Sequence, residues 1–157
     1  MTITSVYWKR EGRGAAIIDI IMKIKRLPKS GEDILCSETV SAVGGCAYNV
    51  AGTLRGFGVD HALFVPVGRG MYGDMIAGDL EKLGYQILIR EEESDNGYCL
   101  CLVEEDGERT FITVKGAEGR FRPSWFEQLS QDAYDSIYVA GYQVCGTSGG
   151  GISDWMA

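Results

Sequence analysis

A pair of glycines at the start of a helical pattern is the first feature of this chain with a chemical use. Gly44 and Gly45 precede Asn49, and small or apolar residues then recur at helical spacing. Glycine has no side chain, so a ligand can approach its backbone closely. The first turn of a helix also offers unpaired N–H groups to ligand oxygens. A second glycine-rich stretch, Val65 to Gly73, follows, and together they predict a small-molecule site built largely from backbone.

Two polar side chains are further candidates for this site. Asp19 interrupts the apolar run IIDII at residues 17–21. Burying an unpaired carboxylate is expensive, so Asp19 must face a cavity, a helix cap or water. Tyr142 follows the predicted strand 137–140 at its carboxyl end, where α/β sheets bind their ligands. The glycines at 149–151 are followed by no Lys-Ser/Thr pair, which excludes a P-loop.

Strands and helices alternate along the chain, which predicts an α/β fold with a mostly parallel sheet and flanking helices. An Asp-Gly turn at Asp106–Gly107 predicts a hairpin between two of the strands. The predicted strands are Ala15–Met22, Ile34–Val40, His61–Val65, Tyr85–Arg90, Gly97–Val103, Arg109–Val114 and Ser136–Ala140. The predicted helices are Gly45–Phe57, Tyr72–Leu83 and Pro123–Leu129.

Composition narrows the class of protein. The chain has 157 residues, enough for one domain with a real core. Its 22 acidic against 15 basic residues give a net charge of −7, which argues against nucleic-acid or anionic-membrane partners. The longest apolar run is too short to span a membrane. The five cysteines show no metal-ligand spacing, and Cys99 and Cys101 are expected to be core thiols of a cytoplasmic protein.

The first 13 residues form an atypical leader. The segment VYWKREG at residues 6–12 carries charges that suit a central strand poorly, and it lacks the apolar stretch of a signal peptide. The domain proper is expected to occupy residues 14–157.

The order of four motifs resembles the PfkB (ribokinase-like) family of sugar and nucleoside kinases. GAAIIDI at residues 14–20 is similar to the first strand of the family, which ends in an Asp. The stretch from GGCAYN to GRGMYGD, residues 44–74, resembles its first signature region. NGYCLCLVEEDGERTFIT at 96–113 is similar to its lid hairpin, and GYQV follows at 141–144.

The resemblance implies a partial ribokinase-like fold with a small β-sheet lid, whose strands would lie at about 20–26, 33–40, 97–103 and 109–114. It implies that Asp19, Gly44, Gly45 and Asn49 bind the hydroxyl groups of a sugar or nucleoside, with Tyr142 near the same site. It also implies ATP and Mg²⁺ as cofactors of the whole enzyme, and a homodimer formed through the lid. The alternatives from the residues alone remain open: a tight turn at 44–45, a helix-surface Asn49 and a strand-end Asp19.

Departures from the family pattern limit what this chain is expected to do. Cys46 stands where many relatives have Lys, and Ile17 where ribokinases have Asn. No Gly-Ala-Gly-Asp signature, which supplies the catalytic base, occurs after Gly141. The chain therefore resembles the N-terminal part of a kinase, inactive alone, with no catalytic residue of its own. The alternative is a non-catalytic fragment that only binds sugar or dimerises.

A dinucleotide-binding module is a weaker possibility. GRGMYG at 68–73 matches the G-x-G-x-x-G pattern, but the expected acidic ribose ligand would fall in the Glu91–Glu93 run, after a further strand.

Overall fold

A computed structural model describes residues 2–4, 15–120, 122–126 and 136–140 of the chain. The strands within these ranges are β1 Thr2–Thr4, β2 Ile17–Lys23, β3 Glu38–Gly44, β4 His61–Leu63, β5 Pro66–Val67, β6 Ile89–Arg90, β7 Tyr98–Val103, β8 Arg109–Val114 and β9 Ser136–Tyr138. The helices are α1 Cys46–Gly56, α2 Met71–Lys82 and the short α3 Pro123–Phe126, preceded by a 3₁₀ turn at Ala117–Gly119.

The predicted parallel arrangement is confirmed. A three-stranded sheet has the order β4-β1-β9, and β1 pairs in parallel with both neighbours. Strands β5 and β6 form a second parallel pair. Parallel strands need crossover connections, which α1 and α2 provide. Thr2–Thr4 thus lie at the centre of a sheet, while the rest of the predicted leader, residues 5–13, lies outside the described residues.

A separate four-stranded sheet, called here the lid sheet, has the order β3-β2-β7-β8. Its central pair, β2 with β7, is parallel, and both outer pairs are antiparallel. The predicted hairpin around Gly107 is confirmed as β7–β8, and Gly107 adopts a φ of 87°. Cys99 and Cys101 of β7 are each 7% exposed, as expected for core thiols.

Two predicted strands of the lid sheet are displaced along the sequence. The strand expected at 20–26 is Ile17–Lys23, and the one expected at 33–40 is Glu38–Gly44. The reason is a long connection between them, in which Arg26 forms an ion pair with Glu32. This connection closes when the Ser37 amide donates to the Lys23 carbonyl at 2.9 Å. Apolar Ile34 and Leu35 therefore lie before the strand, and Leu35 is 92% exposed.

Other boundaries also differ from the predictions. The strand expected at Tyr85–Arg90 is reduced to Ile89–Arg90. The Tyr85 hydroxyl lies 2.7 Å from Nε2 of His61, and its ring packs edge-on against that imidazole. Helix α2 begins one residue earlier than predicted. Helix α3 is described only to Phe126, so residues 127–129 of its predicted span lie outside the described residues.

The core lies between the two helices and the sheets. The buried side chains that helix α1 contributes are the small Ala47 and Ala51, and the partly buried Tyr48 packs against the same cluster. Helix α2 contributes Ile76 and Leu80, and Ile18 reaches the same cluster from the lid sheet. Full burial of each such large aliphatic side chain stabilises the fold by about 1.5–3 kcal/mol. The lid sheet is therefore anchored to the α/β part by shared apolar packing.

No helix within the described residues is long and apolar enough to cross a membrane.

Candidate functional site

The turn from β3 into α1 requires glycine for steric reasons. Gly45 precedes the first residue of α1 with a φ of 99°, a conformation that favours glycine. A Cβ atom on Gly45 would overlap the carbonyl group of Ala15, so the chain segments cross here backbone to backbone. The Asn49 amide then donates to the Gly45 carbonyl at 2.9 Å and starts the helix. The tight-turn alternative for Gly45 is thus part of the structure, whatever else this residue binds.

The Asp19 carboxylate lies directly over Gly44. A Cβ atom on Gly44 would overlap the Asp19 carboxylate, so the missing side chain makes room for it. Burial raises the pKa of Asp19 above its ordinary value. The structure therefore brings Asp19 and the glycine pair together, as the sequence predicts.

The position of Asp19 within its strand differs from the prediction. Asp19 is the third residue of β2 rather than its last, opposite Ala42 on one side and Cys99 on the other. The strand continues to Lys23 because both of its edges are paired. Asp19 thus projects from a sheet face and not from a strand end.

Helix α1 presents Cys46 and Asn49 on one face, because residues three apart are neighbours on a helix. The pKa of the Cys46 thiol is raised by burial and, secondarily, by the Asp19 charge. Asn49 is exposed on the same face. Cys46 and Asn49 are thus the residues of the first turn of α1 that share a face.

Tyr138, the last residue of β9, was not predicted at this site. Its pKa is raised by burial and, secondarily, by the Cys46 thiol at the start of α1. The carboxyl end of a parallel strand is the signal that could have found it. The predicted Tyr142 lies outside the described residues.

Within the described part of the chain, no side chain caps the start of α1 at Gly45. Gly45 supplies no capping side chain, and the first turn of α1 contains no acidic residue. The leading N–H groups of a helix have no intrahelical partner, and they attract oxygen atoms. A carboxylate acceptor therefore lies beside the backbone donors at the start of α1, and the Asn49 amide follows one turn along the helix. Such a set can bind the hydroxyl groups of a small polar ligand, each of which both donates and accepts.

The second glycine stretch serves the protein itself. Asp95 accepts hydrogen bonds from the Tyr72 amide at 3.1 Å and the Gly73 amide at 2.6 Å, and so caps α2. A Cβ atom on Gly70 would collide with the Asp95 side chain. The expectation that residues 65–73 offer free donors to a ligand is therefore wrong for the start of α2, because Asp95 already occupies it.

A surface cleft of about 470 Å³ lies elsewhere. It runs between β3, α1 and α2, and the Tyr48 hydroxyl donates across its wall to Asp79 at 2.5 Å. Burial and this hydrogen bond raise the pKa of Tyr48 to about 12. The cleft does not include Asp19, Gly45 or Asn49. It is lined by Ser41, Ala42, Val43, Tyr48, Asp74, Met75, Gly78, Asp79 and Lys82.

Comparison with known proteins identifies the family. Residues 13–149 match the model of the pfkB family of carbohydrate kinases. An uncharacterized sugar kinase of Escherichia coli, YegV, is 38% identical over 143 residues, which cover 91% of this chain and 44% of that protein. The chain belongs to the pfkB carbohydrate kinase family.

Solved structures agree on the fold. Ribokinase from Giardia lamblia, 22% identical, superimposes with a TM-score of 0.71 over 87% of this chain and 40% of that protein. Arabidopsis thaliana ribokinase, solved with ribose and ATP, is 25% identical with a TM-score of 0.60, over 74% of this chain and 36% of that protein. The fold is thus ribokinase-like, and the chain spans less than half the length of these relatives.

Proposed function

We propose that this chain forms the sugar-binding part of an ATP-dependent kinase that phosphorylates a hydroxyl group of a sugar or nucleoside in the cytoplasm. Membership of the family supports the class of reaction. A relative of the same fold has been solved with ribose and ATP. The observation that carries the proposal is the Asp19 carboxylate, which lies over Gly44 beside the uncapped start of α1.

Each group at this site has a distinct role in the proposal. Asp19 accepts hydrogen bonds from two substrate hydroxyls, and the charge of the carboxylate strengthens both bonds. Amides at Gly45 and the first turn of α1 donate to hydroxyl oxygens, and the Asn49 amide group orients a further hydroxyl. The lid sheet excludes water from the substrate when it covers the site. Tyr142 is retained as a proposed contact at the end of β9.

Phosphoryl transfer itself is not assigned to this chain. Within the described residues no group of three or more His, Cys, Asp or Glu side chains is placed to hold a metal ion. The 157 residues contain neither a Gly-Ala-Gly-Asp signature nor a P-loop that could cradle a triphosphate. We therefore propose that ATP, Mg²⁺ and the catalytic base act in another part of the whole enzyme, and that this chain alone is inactive.

The proposal includes a homodimer formed through the lid sheet. Its outer strands expose large apolar side chains, Val40 at 48% and Phe111 at 58% on one face, and Ile112 at 52% and Val114 at 44% on the other. Exposed apolar surface of this kind is typical of an interaction site. The alternative function is a non-catalytic module that binds sugar or dimerises. It requires only the Asp19–Gly45 region or the exposed apolar side chains of the lid sheet.

The proposal is tested by titrating the purified chain with D-ribose, D-fructose and adenosine in a calorimeter. A hydroxyl-to-carboxylate hydrogen bond contributes about 1.5–3 kcal/mol. We therefore expect Asp19→Asn to weaken binding about tenfold or more, without loss of thermal stability. Asp60→Asn is the matched control, because Asp60 is an exposed carboxylate in the loop between α1 and β4.

Two results would contradict the proposal. An unchanged affinity in Asp19→Asn would remove the substrate-binding role of Asp19. Sustained phosphorylation of any of these substrates by the 157-residue chain with MgATP would show that the chain is not inactive alone.

A further inference from the structure

Where the chain enters and leaves the lid sheet, its backbone segments pass each other in direct contact. Gly97 leads into β7, and Gly116 follows β8. A Cβ atom on Gly97 would lie 2.8 Å from the Gly116 amide nitrogen, and one on Gly116 would overlap the Gly97 amide. The Ala15 carbonyl and Gly45 are in similar contact. The base of the lid sheet is therefore a set of close crossings with no room for side chains between them.

One buried side chain, that of Asn96, forms hydrogen bonds to two other segments near the base of the lid sheet. Asn96 is only 3% exposed. Its Nδ2 donates to the carbonyl of Ala16 at 3.2 Å and to that of Pro66 at 3.1 Å. Its Oδ1 accepts from the Gly68 amide at 2.6 Å. The entry to β2, the strand β5 and the entry to β7 are thus joined through a single amide group.

A second buried side chain ties the other pair of segments. Glu118 is 4% exposed, and its Oε2 accepts from the Gly97 amide at 2.8 Å. Its Oε1 accepts from the Gly116 amide at 2.9 Å. The Ala117 amide adds a hydrogen bond to the Asp95 carbonyl at 2.9 Å. Both ends of the β7–β8 hairpin are therefore held by one carboxylate.

We propose that Asn96 and Glu118 form a clamp that fixes the tilt of the lid sheet over the start of α1, with Asn96 as a positioning residue for the Asp19–Gly45 region. The link runs along the backbone of Ala15 and Ala16. Asn96 binds the carbonyl of Ala16, and the preceding carbonyl, of Ala15, touches Gly45. The positioning role rests on the proposed function, whereas the clamp is a property of the fold with or without a sugar.

The polar chemistry of the clamp explains why it constrains geometry. A buried amide or carboxylate is tolerated only when its hydrogen bonds are made, and those bonds have narrow distances and directions. Apolar side chains in the same place would fill space, but they would permit sliding between the segments. Both oxygens of Glu118 and both polar atoms of Asn96 are engaged with backbone groups.

Amide hydrogen exchange followed by NMR on the full 157-residue chain tests the clamp. We expect Asn96→Ala to speed exchange about tenfold or more at the Gly68 amide, since this amide loses its buried acceptor, Oδ1 of Asn96. Exchange in α2, at Ile76 and Leu80, stays at the wild-type rate. The amide resonances of Gly45 and Cys46 shift, although Asn96 touches neither residue.

Two further variants make the test specific. Ser37→Ala is the matched control, because it removes a side-chain hydrogen bond to β2 at the opposite end of the lid sheet. It should leave the Gly45 and Cys46 resonances unchanged. Glu118→Gln keeps one acceptor oxygen, so exchange should accelerate at either Gly97 or Gly116 but not at both. Glu118→Gln also tests the clamp if the Asn96→Ala variant does not fold.

Two outcomes would overturn the clamp. Uniformly faster exchange across α2 and the lid sheet in Asn96→Ala and in Glu118→Gln would show that these two residues only stabilise the fold in general. Unmoved Gly45 and Cys46 resonances in Asn96→Ala would break the link to the start of α1. Sugar titration of the wild-type chain is read separately, so a chain that binds no sugar removes the proposed function and leaves the exchange result intact.

Discussion

Helices α1 and α2 both begin after a glycine, but different side chains lie at their first turns. Both follow a glycine with positive φ, 99° at Gly45 and 139° at Gly70, and neither glycine supplies a cap. At α2 the leading amides are bound by Asp95, a residue from a distant loop. At α1 the nearby Asp19 lies over Gly44, and no side chain of the described residues caps the helix at Gly45.

The difference separates the capped start of α2 from the start of α1, where we propose that a ligand binds. A capped start contributes stability and is closed to ligands, whereas an uncapped start beside a carboxylate offers donors and an acceptor together. The same glycine pattern therefore precedes both helices, and the side chain that lies nearby in space decides whether the helix start is capped.

The largest expected effect tests the crossing at α1. Gly45→Ala should lower the free energy of unfolding by about 3 kcal/mol or more, because the added methyl group overlaps the Ala15 carbonyl at a positive φ. Urea denaturation measures this change. Gly52→Ala is the control, since Gly52 lies within α1 with open space around it, and it should stabilise by about 0.5–1 kcal/mol. Equal behaviour of the two variants would show that the crossing at Gly45 is not tight.

A smaller effect is expected at α2. Asp95→Ala should destabilise the protein by about 2 kcal/mol, because the amides of Tyr72 and Gly73 lose their acceptor. The control is Asp74→Ala. Asp74 lies in the same first turn of α2, its side chain is 70% exposed, and it forms an ion pair with Arg90 of β6. Such a surface pair is worth about 0.5 kcal/mol. If Asp95→Ala and Asp74→Ala have the same melting temperature, the cap from Asp95 does not stabilise α2 more than a surface ion pair does.

The smallest effect concerns the pH dependence contributed by Asp19. Burial raises its folded-state pKa above the ordinary value of 3.8, so the folded protein holds this proton to higher pH than the unfolded chain. Ionisation of Asp19 therefore costs stability as pH rises through that range. Asp19→Asn should match the wild type in acid and become the more stable of the two towards neutral pH. Denaturation curves at several pH values between 3 and 7 check the sign, and a less stable variant at neutral pH would contradict it.

Local patterns predicted much of this fold. The hairpin β7–β8 follows from the Asp-Gly turn, because Gly107 supplies the positive φ that the turn needs. Helices α1 and α2 follow from apolar periodicity, and each observed boundary lies within one residue of its predicted position. The meeting of Asp19 with Gly44 was also predicted, although only the family resemblance pointed to it.

Features that depend on distant partners were missed. The cap of α2 comes from Asp95, which no local pattern connects to Gly70. Asn96 is buried in a loop whose sequence is otherwise polar. Glu91, in a run of three glutamates typical of a solvated loop, is 5% exposed because Arg122 forms an ion pair with it at 2.9 Å. Tertiary contacts of this kind leave no periodic signal in the sequence.

The parallel pairing at the centre of the lid sheet sets an order of assembly during synthesis. Residues 18–23 of β2 pair with residues 98–103 of β7, so most of the chain must leave the ribosome before the sheet can close. Until then β2 and β3 form at most an isolated hairpin, which is marginally stable in water. Its apolar strand, with both faces uncovered, is a target for chaperones or for pairing with another nascent copy. Non-local closure of this kind is also slow, so the lid sheet should form after helices α1 and α2, whose hydrogen bonds are local.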